Sequence, residues 1–600
     1  MASIEDILLE EEFSQRPMTG SLFMRLAQFM RPHKWKLIGN LAATALAIVS
    51  ELLGPKFIQI GIDRYLTNFK APRLAARGIL VVSAIYLGNL LIGWLLSIAQ
   101  VRSAIAAGQS AVNDLRESIF AHIQRLSLSY FDKTHQGRII ARADTDLSAL
   151  DEIMTWGANQ FLASTLTLAG VVILMLQYDW RLCLAVSLVL PALGYSTHLF
   201  QKRGMRAYRA IRQQASRLTA SLAENISGVR LVQALAREDY NLQRFEELHE
   251  TYRHRALAGA RIFHTYMPFI NLTSGAGIAI ILGYGGTLAL RGEITAGELA
   301  AFVIYVGMFF GPIQTMGELY NQVLSSAAGA ERIFVLLDTE PEVRNHADAK
   351  PLPPVSGHVV FEHVCFRYET TPLDRWILED ISFEAKPGET IALVGATGSG
   401  KTSIISLLAR FYEPHRGRIT VDGIELRDAT IDSLHEQIGI VTQENFLFTG
   451  TVMDNLRFGR IDATDEEVRE AARTLGTDEM ILKFPNGYET KVSERGGNFS
   501  AGERQLICFT RAMVARPRML ILDEATSAVD PQTETVIQHA LETLFSKRTS
   551  LVIAHRLSTV RRAQQILVLS HGKIIERGTH DDLMQLGCEY RRLYEEFTRH

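Results

Sequence analysis

Eight residues, Gly395-Ala396-Thr397-Gly398-Ser399-Gly400-Lys401-Thr402, have the types and spacing to hold a polyphosphate. Glycines let a backbone wrap an anion, and the N–H groups at a helix start point at it. Lys401 is placed to reach β- and γ-phosphates, and the Thr402 hydroxyl to meet Mg²⁺. This reading depends on context, and the context fits. Thr390–Val394 before the loop is a β-branched apolar run that predicts a buried strand, and Ser403–Arg410 after it predicts a helix.

A second constellation lies 120 residues further on. Met519-Leu520-Ile521-Leu522 ends in Asp523 and Glu524. A buried strand that delivers two acids at its C-terminal edge suits phosphoryl chemistry: Asp523 to help hold Mg²⁺, Glu524 to orient and deprotonate the attacking water. Leu551–Ala554 predicts another strand, followed by His555, a candidate sensor of the γ-phosphate. A single histidine is as readily structural; its place at a third strand end is what marks it.

The elements that position these residues begin near Gly357. His358–Phe366, Ile381–Glu384, Thr390–Val394 and Gly417–Val421 predict strands, and helices alternate with strands afterwards. That order predicts an α/β domain with a largely parallel sheet. Leu337–Pro354 is polar and proline-bearing, a linker by composition.

The first half differs in kind. A chain of 600 residues is too long for one core. Six apolar runs approach or exceed the ~20 residues that span a bilayer: about Leu37–Phe57, Ile79–Val101, Ile153–Tyr178, Leu182–Phe200, Ile262–Leu290 and Leu299–Gly317. Ser21–Arg31 is short and amphipathic and predicts a helix lying along the membrane surface. Met1–Glu12 is acidic and lacks the basic start of a signal peptide. The net charge of −3 gives no bulk pull toward nucleic acid. The four cysteines are far apart, without metal-ligand spacing or a disulfide framework.

Spans one and two, three and four, and five and six have short links; Arg102–Glu152 and Gln201–Arg261 are long and helical. Six crossings return the chain to its starting side, and both long segments fall on that side, with the nucleotide-binding half. Each long segment contains a break, Tyr130–Arg138 leading to Asp144 and Asp146, and Glu224–Arg230 leading to Ala234–Glu238. Each break reads either as helix punctuation or as a short crosswise docking helix. Glu51, His264 and Glu318 lie in or near spans and are candidates for cavity polarity. Gly283, Gly285 and Gly286 predict close helix packing.

Together these motifs, in this order, resemble the ATP-binding cassette exporters of the half-transporter type, over nearly the whole chain. The resemblance implies a multidomain membrane protein: a six-helix transmembrane domain over 1–335, a linker over 336–356, and an α/β P-loop cassette over 357–600. It implies that Gly395–Thr402 with Ser403 contacts ATP, that Tyr368 stacks on adenine, and that Gln443 sits near Mg²⁺ and the membrane domain. It makes Ser527–Asp530 the D-loop, His555 the switch histidine, and the two breaks coupling helices. The family signature Leu-Ser-Gly-Gly-Gln is here Phe499-Ser500-Ala501-Gly502-Glu503. Ser500 and Gly502 survive, but Ala501 adds a methyl where backbone approaches phosphate and Glu503 brings an anion. An intact Glu524 beside an altered signature resembles one half of an asymmetric pair. The expectation is ATP-driven export of a hydrophobic or amphipathic substrate as one half of a dimer, with a second half-transporter, ATP, Mg²⁺ and a lipid bilayer as partners. The expected location is a bacterial inner membrane, both termini cytoplasmic. An importer on the same fold, or an ATP-gated channel or regulatory subunit, remains open.

Overall fold

The computed structural model describes residues 20–67, 72–372, 374–523, 531–554 and 557–599. Glu524, Ser527–Asp530 and His555 lie outside the described residues, as does Met1–Glu12. The chain divides into two compact units. One comprises residues 1–123 and 137–338; the other comprises 124–136 and 339–600.

The first unit is helical. It contains α1 (Gly20–Met30), α2 (Lys34–Gly61), α3 (Pro72–Ile123), α5 (Ala158–Tyr178), α6 (Trp180–Ser187), α7 (Leu190–Ser227), α8 (Val229–Ala234), α9 (Glu238–Ile280) and α10 (Ala296–Asp338). The number α4 belongs to Leu128–Lys133, which packs in the other unit. Among the described residues, six helical stretches are long and apolar enough to cross a membrane, Met24–Leu66, Arg73–Ile123, Gln136–Tyr178, Trp180–Ser227, Glu238–Leu290 and Ala296–Leu319. Each contains one of the six predicted runs. The short link at Asp179 is a true helix start: its carboxylate accepts from the N–H groups of Arg181 at 2.7 Å and Leu182 at 3.1 Å, satisfying two orphan donors of α6. Helix α10 runs to Asp338, three residues past the predicted domain end, and the Asp338 carboxylate accepts from Arg25 of α1 at 2.7 Å. Asp146 is one end of an ion pair with Arg332 of α10, and the Ser326 hydroxyl donates to the Ala149 carbonyl at 2.7 Å. Helices α7 and α9 pack on each other, while α8 between them buries no residue within the chain.

Of the three glycines expected at close packing, one behaves so. A Cβ on Gly285 would meet Leu299 at 2.7 Å and Leu182 at 3.2 Å, whereas Gly283 and Gly286 face nothing within 4 Å. Periodicity alone does not say which glycine of a cluster faces a neighbour.

The second unit holds two large sheets and a two-stranded ribbon pairing Gly450–Thr451 with Lys491–Val492. In the four-stranded antiparallel sheet the order is β2 (Leu378–Ala385), β1 (Val359–Phe366), β4 (Arg416–Val421), β5 (Ile424–Glu425). The six-stranded sheet runs β10 (Lys573–Gly578), β9 (Gln565–Ser570), β3 (Thr390–Val394), β8 (Thr549–Ile553), β7 (Met519–Asp523), β6 (Ile438–Val441). Its pairings are parallel except for the edge strand β10. A parallel sheet covered on both faces needs apolar residues at every position, not every second one. Ala392, Val394, Leu520, Leu522 and Val552 enter one buried cluster, and Ile391, Leu393, Ile521, Leu551 and Ile553 enter the other. Strand β1 has one half-exposed face and alternates. Leu352 and Val355, inside the predicted linker, are buried with the second cluster.

Candidate functional site

The parallel register aligns the carboxyl ends of β3, β7 and β8. Leu393 is opposite Ile553, which is opposite Asp523. Gly395 therefore leaves its strand at the same carboxyl edge as Asp523, with β8 between them, where open α/β sheets bind ligands.

From there the loop turns into α11 (Lys401–Leu408). Gly395 cannot be replaced: an added Cβ would lie 2.3 Å from the Leu569 carbonyl oxygen. Gly400 caps α11 at φ +104°, a conformation that costs other residues strain, and its Cβ would lie 2.5 Å from Leu378. Inside this cradle the Lys401 ammonium donates to the carbonyls of Gly395 at 2.7 Å and Ala396 at 3.0 Å. Burial lowers its pKa, and the Asp523 carboxylate opposes that shift. The Ser399 Oγ is buried, in a residue 4% exposed, with no hydrogen-bond partner among the described residues. A buried hydroxyl without a partner is costly unless a ligand completes it. The cradle, the ammonium and this hydroxyl fit a triphosphate. Thr402 at the first turn of α11, Gln443 beyond β6, and Asp523 offer only oxygen donors, which suits Mg²⁺ held largely by the substrate's phosphates.

Tyr368 follows β1. Its hydroxyl shares a hydrogen bond of 2.9 Å with the Ser403 Oγ, tying it to the first turn of α11. Its ring stands edge-on to Phe366 at 4.8 Å and to Tyr412 at 5.2 Å. Burial raises the phenol's pKa, Ser403 pulling the other way.

The altered signature opens α13 (Ala501–Val514), which follows α12 (Asp465–Leu475) in chain order. Ser500 caps it, and its hydroxyl accepts from the Glu503 N–H at 3.2 Å. The Glu503 carboxylate accepts from the Ser500 N–H at 2.7 Å. This capping box satisfies two donors that a helix N-terminus otherwise leaves open. Its sequence signal, Ser-x-x-Glu, is legible in Ser500–Glu503 and marks Glu503 as an occupant of the helix start as well as a departure from the signature.

Two sets of contacts have no signal in the chain. The Tyr412 hydroxyl donates to the Asp132 carboxylate of α4, 280 positions away. Lys133 beside it donates to Glu342 at 2.7 Å and to Glu369.

The geometry is that of a P-loop ATPase joined to a helical membrane unit, and comparison with known proteins defines it further. Residues 37–313 match the ABC transporter transmembrane region family and residues 378–527 match the ABC transporter family. The chain is 37% identical over 592 residues to the Bacillus subtilis ABC transporter ATP-binding protein YknV, covering 97% of this chain and 96% of that one. It is 33% identical over 580 residues to the Mycobacterium tuberculosis multidrug efflux ATP-binding/permease protein Rv0194, covering 96% of this chain but 47% of the other. It superimposes on a bacterial Atm1-family ABC exporter with ATP bound, at a TM-score of 0.77 and 28% identity, over 94% of this chain and 98% of that one. The chain belongs to the ABC transporter family. It is a half-transporter of the exporter type, a multi-pass membrane protein whose ATPase is coupled to transport.

Proposed function

We propose that this chain exports a hydrophobic or amphipathic substrate as one half of a heterodimer, supplying the competent catalytic glutamate and a weak signature. The observation that carries this reading is the Ser500–Glu503 capping box: the start of α13 is already occupied by its own carboxylate. In this reading two ATP sites form between cassettes, each from one chain's Gly395–Thr402 equivalent and the other chain's signature. An incoming γ-phosphate at Ser500 meets the Glu503 anion and must displace it from the Ser500 N–H. A partner with glutamine there can close the same box through a neutral amide, which does not repel the phosphate.

The chain's own residues divide the chemistry. Tyr368 stacks on adenine, and Gly395–Ser403 enclose the phosphates. Lys401 exchanges its two carbonyl contacts for β- and γ-oxygens and opposes charge developing on them. Glu524 takes a proton from the attacking water as its oxygen bonds to the γ-phosphorus and the bond to the β–γ bridging oxygen breaks. His555 donates to the γ-phosphate. Thr402, Gln443 and Asp523 are the residues that would hold Mg²⁺, which would neutralise phosphate charge. Transport is a population shift between inward- and outward-facing states, driven by differential affinity for ATP. Six crossings with an ATP-using unit after the last favour cytoplasmic termini, and the bacterial relatives favour a bacterial cell membrane.

Purified in lipid, this chain alone should hydrolyse ATP slowly, and co-expression with a second half-transporter bearing an intact signature should restore substrate-stimulated turnover. A fully active homodimer overturns the heterodimer.

A further inference from the structure

Helix α11 stops at Leu408, and Arg410 follows in the left-handed region at φ +52°. Its buried guanidinium donates to the carbonyls of Ala429, Arg344 (3.3 Å) and Arg427 (3.4 Å). Those ties fix the turn that presents Tyr412. The Tyr412 ring, in a residue 8% exposed, packs edge-on against Tyr368 at 5.2 Å and tilted against Phe366 at 5.5 Å. Its hydroxyl donates to Asp132. Burial, and then the Asp132 carboxylate, push the phenol well above its ordinary range, so it remains a donor at any working pH. The Asp132 segment has a second tie at the same place. Lys133 bonds to Glu369, the residue after Tyr368, and the Val343 N–H donates to the Ser127 hydroxyl at 2.9 Å.

We infer that Tyr412 is a positioning residue that links adenine occupancy at Tyr368 to the seating of segment 124–136. The inference rests on the reading of Tyr368 as the adenine platform. If the segment leaves, Asp132 goes with it and a buried phenol loses its acceptor, an expensive state. The ring must then reorient, and Tyr368 loses the edge that backs it. A base stacked on Tyr368 holds the ring in place and so favours the seated segment. The coupling is reciprocal: seating raises base affinity by the factor by which the base favours seating. The linkage runs through the aromatic rings and not through Lys401; the tie from Tyr368 to the phosphate cradle is the single hydrogen bond to Ser403, so the base stacked on the ring, rather than the phosphates, sets it.

The test uses the full chain, with its partner subunit where one is required, in lipid nanodiscs. Hydrogen exchange of residues 124–136 and 395–403 is followed while titrating a non-hydrolysable ATP analogue or tripolyphosphate, which lacks a base. The analogue should protect both regions. Tripolyphosphate, at equal protection of 395–403, should leave 124–136 unprotected. In Tyr412→Phe the analogue should still protect 395–403, with affinity weaker by about three- to tenfold and the response of 124–136 reduced by a similar factor. Asp132→Asn, on an exposed side chain, should do the same and serves if Tyr412→Phe fails to fold. An undiminished response of 124–136 in folded variants, or equal protection by tripolyphosphate, overturns the linkage. Tyr368→Ala separates the two ideas. If it leaves analogue affinity unchanged, the adenine platform is wrong, and the linkage built on it falls. If it weakens affinity while Tyr412→Phe changes nothing, the linkage alone is wrong.

Discussion

In the cassette unit, Ile391, Ala392, Leu393, Ile521 and Val552 are sealed within two buried apolar clusters. In the six-helix unit, Leu80 is 69% exposed and Trp94 61%, and the most apolar window of α3 has no buried residue. The same residue types are inside one unit and outside the other because the solvent differs. Water drives apolar side chains inward; lipid tails accept them at the surface and leave polar groups to be satisfied within. Thr44 in α2 is fully buried and its hydroxyl reaches Asn159 of α5 at 3.0 Å. The interior of the first unit therefore sets polar ties beside an apolar cluster that includes Val171, Leu182, Phe302 and Tyr305, whereas that of the second is apolar packing around one anion cradle.

That contrast breaks first at the catalytic edge. Glu524→Gln should lower ATP turnover by at least about 10²-fold while leaving ATP bound, because it removes the base and keeps the shape. Lys401→Ala should lower turnover comparably but by weakening nucleotide binding, since it removes the buried ammonium beside Gly395 and Ala396. Phosphate release and nucleotide-binding assays on purified protein separate the two. Near-normal hydrolysis by Glu524→Gln would sink the assignment of the base.

A polar tie in the helical unit comes next. Asp146→Ala leaves Arg332 without its carboxylate where both side chains are largely buried, at 25% and 11% exposure. Complete burial would make the loss about 3–5 kcal/mol; partial exposure reduces it to about 2–3 kcal/mol. Thermal unfolding in detergent should show a lowered midpoint, while an apolar surface change such as Leu80→Ala should barely move it. The reverse ranking would mean that the Asp146–Arg332 pair contributes little to holding this unit together.

These two effects also mark what the sequence could disclose. Strand β3 is predicted to the residue, because a buried parallel strand between a turn and a glycine loop has one local reading. The six apolar runs lie inside six helices for a similar reason: a bilayer imposes a length. Local signals fail where the partner is distant. Nothing near Asp146 announces Arg332, and nothing near Tyr412 announces Asp132. Glu51, His264 and Glu318 are all exposed on the single chain, and that exposure does not separate cavity from lipid. The capping box at Ser500 is a different case. It is written locally, but the signature motif draws attention to the same residues for another purpose.

A smaller change sharpens the contrast at the base pocket. Tyr368→Ala should raise the ATP concentration for half-maximal hydrolysis by about tenfold and leave saturated turnover largely intact, since stacking on one aromatic is worth about 1–3 kcal/mol in nucleic-acid systems. ATP titrations of hydrolysis check it, and an unchanged half-maximal concentration counts against Tyr368 as the platform.

The smallest expected effect is at the signature. Replacing Phe499-Ser500-Ala501-Gly502-Glu503 by Leu-Ser-Gly-Gly-Gln exchanges the Glu503 carboxylate on the Ser500 N–H for a neutral amide and removes the Ala501 methyl. If this chain works in an asymmetric pair, its signature completes the site that turns over slowly. Total hydrolysis, carried by the site that contains Glu524, should then change by less than about threefold, against the 10²-fold loss from Glu524→Gln. Nucleotide exchange at the slow site should change more, because the helix start no longer has to release its own anion before meeting a γ-phosphate. In a homodimer the outcome differs in kind. Both sites would pair Glu524 with the Ser500–Glu503 box, and the restored signature would accelerate both. Measuring the variant alone and with a second half-transporter distinguishes the two. A many-fold gain in the single-chain preparation would sink the asymmetric pair and leave the capping box as a brake on a symmetric enzyme.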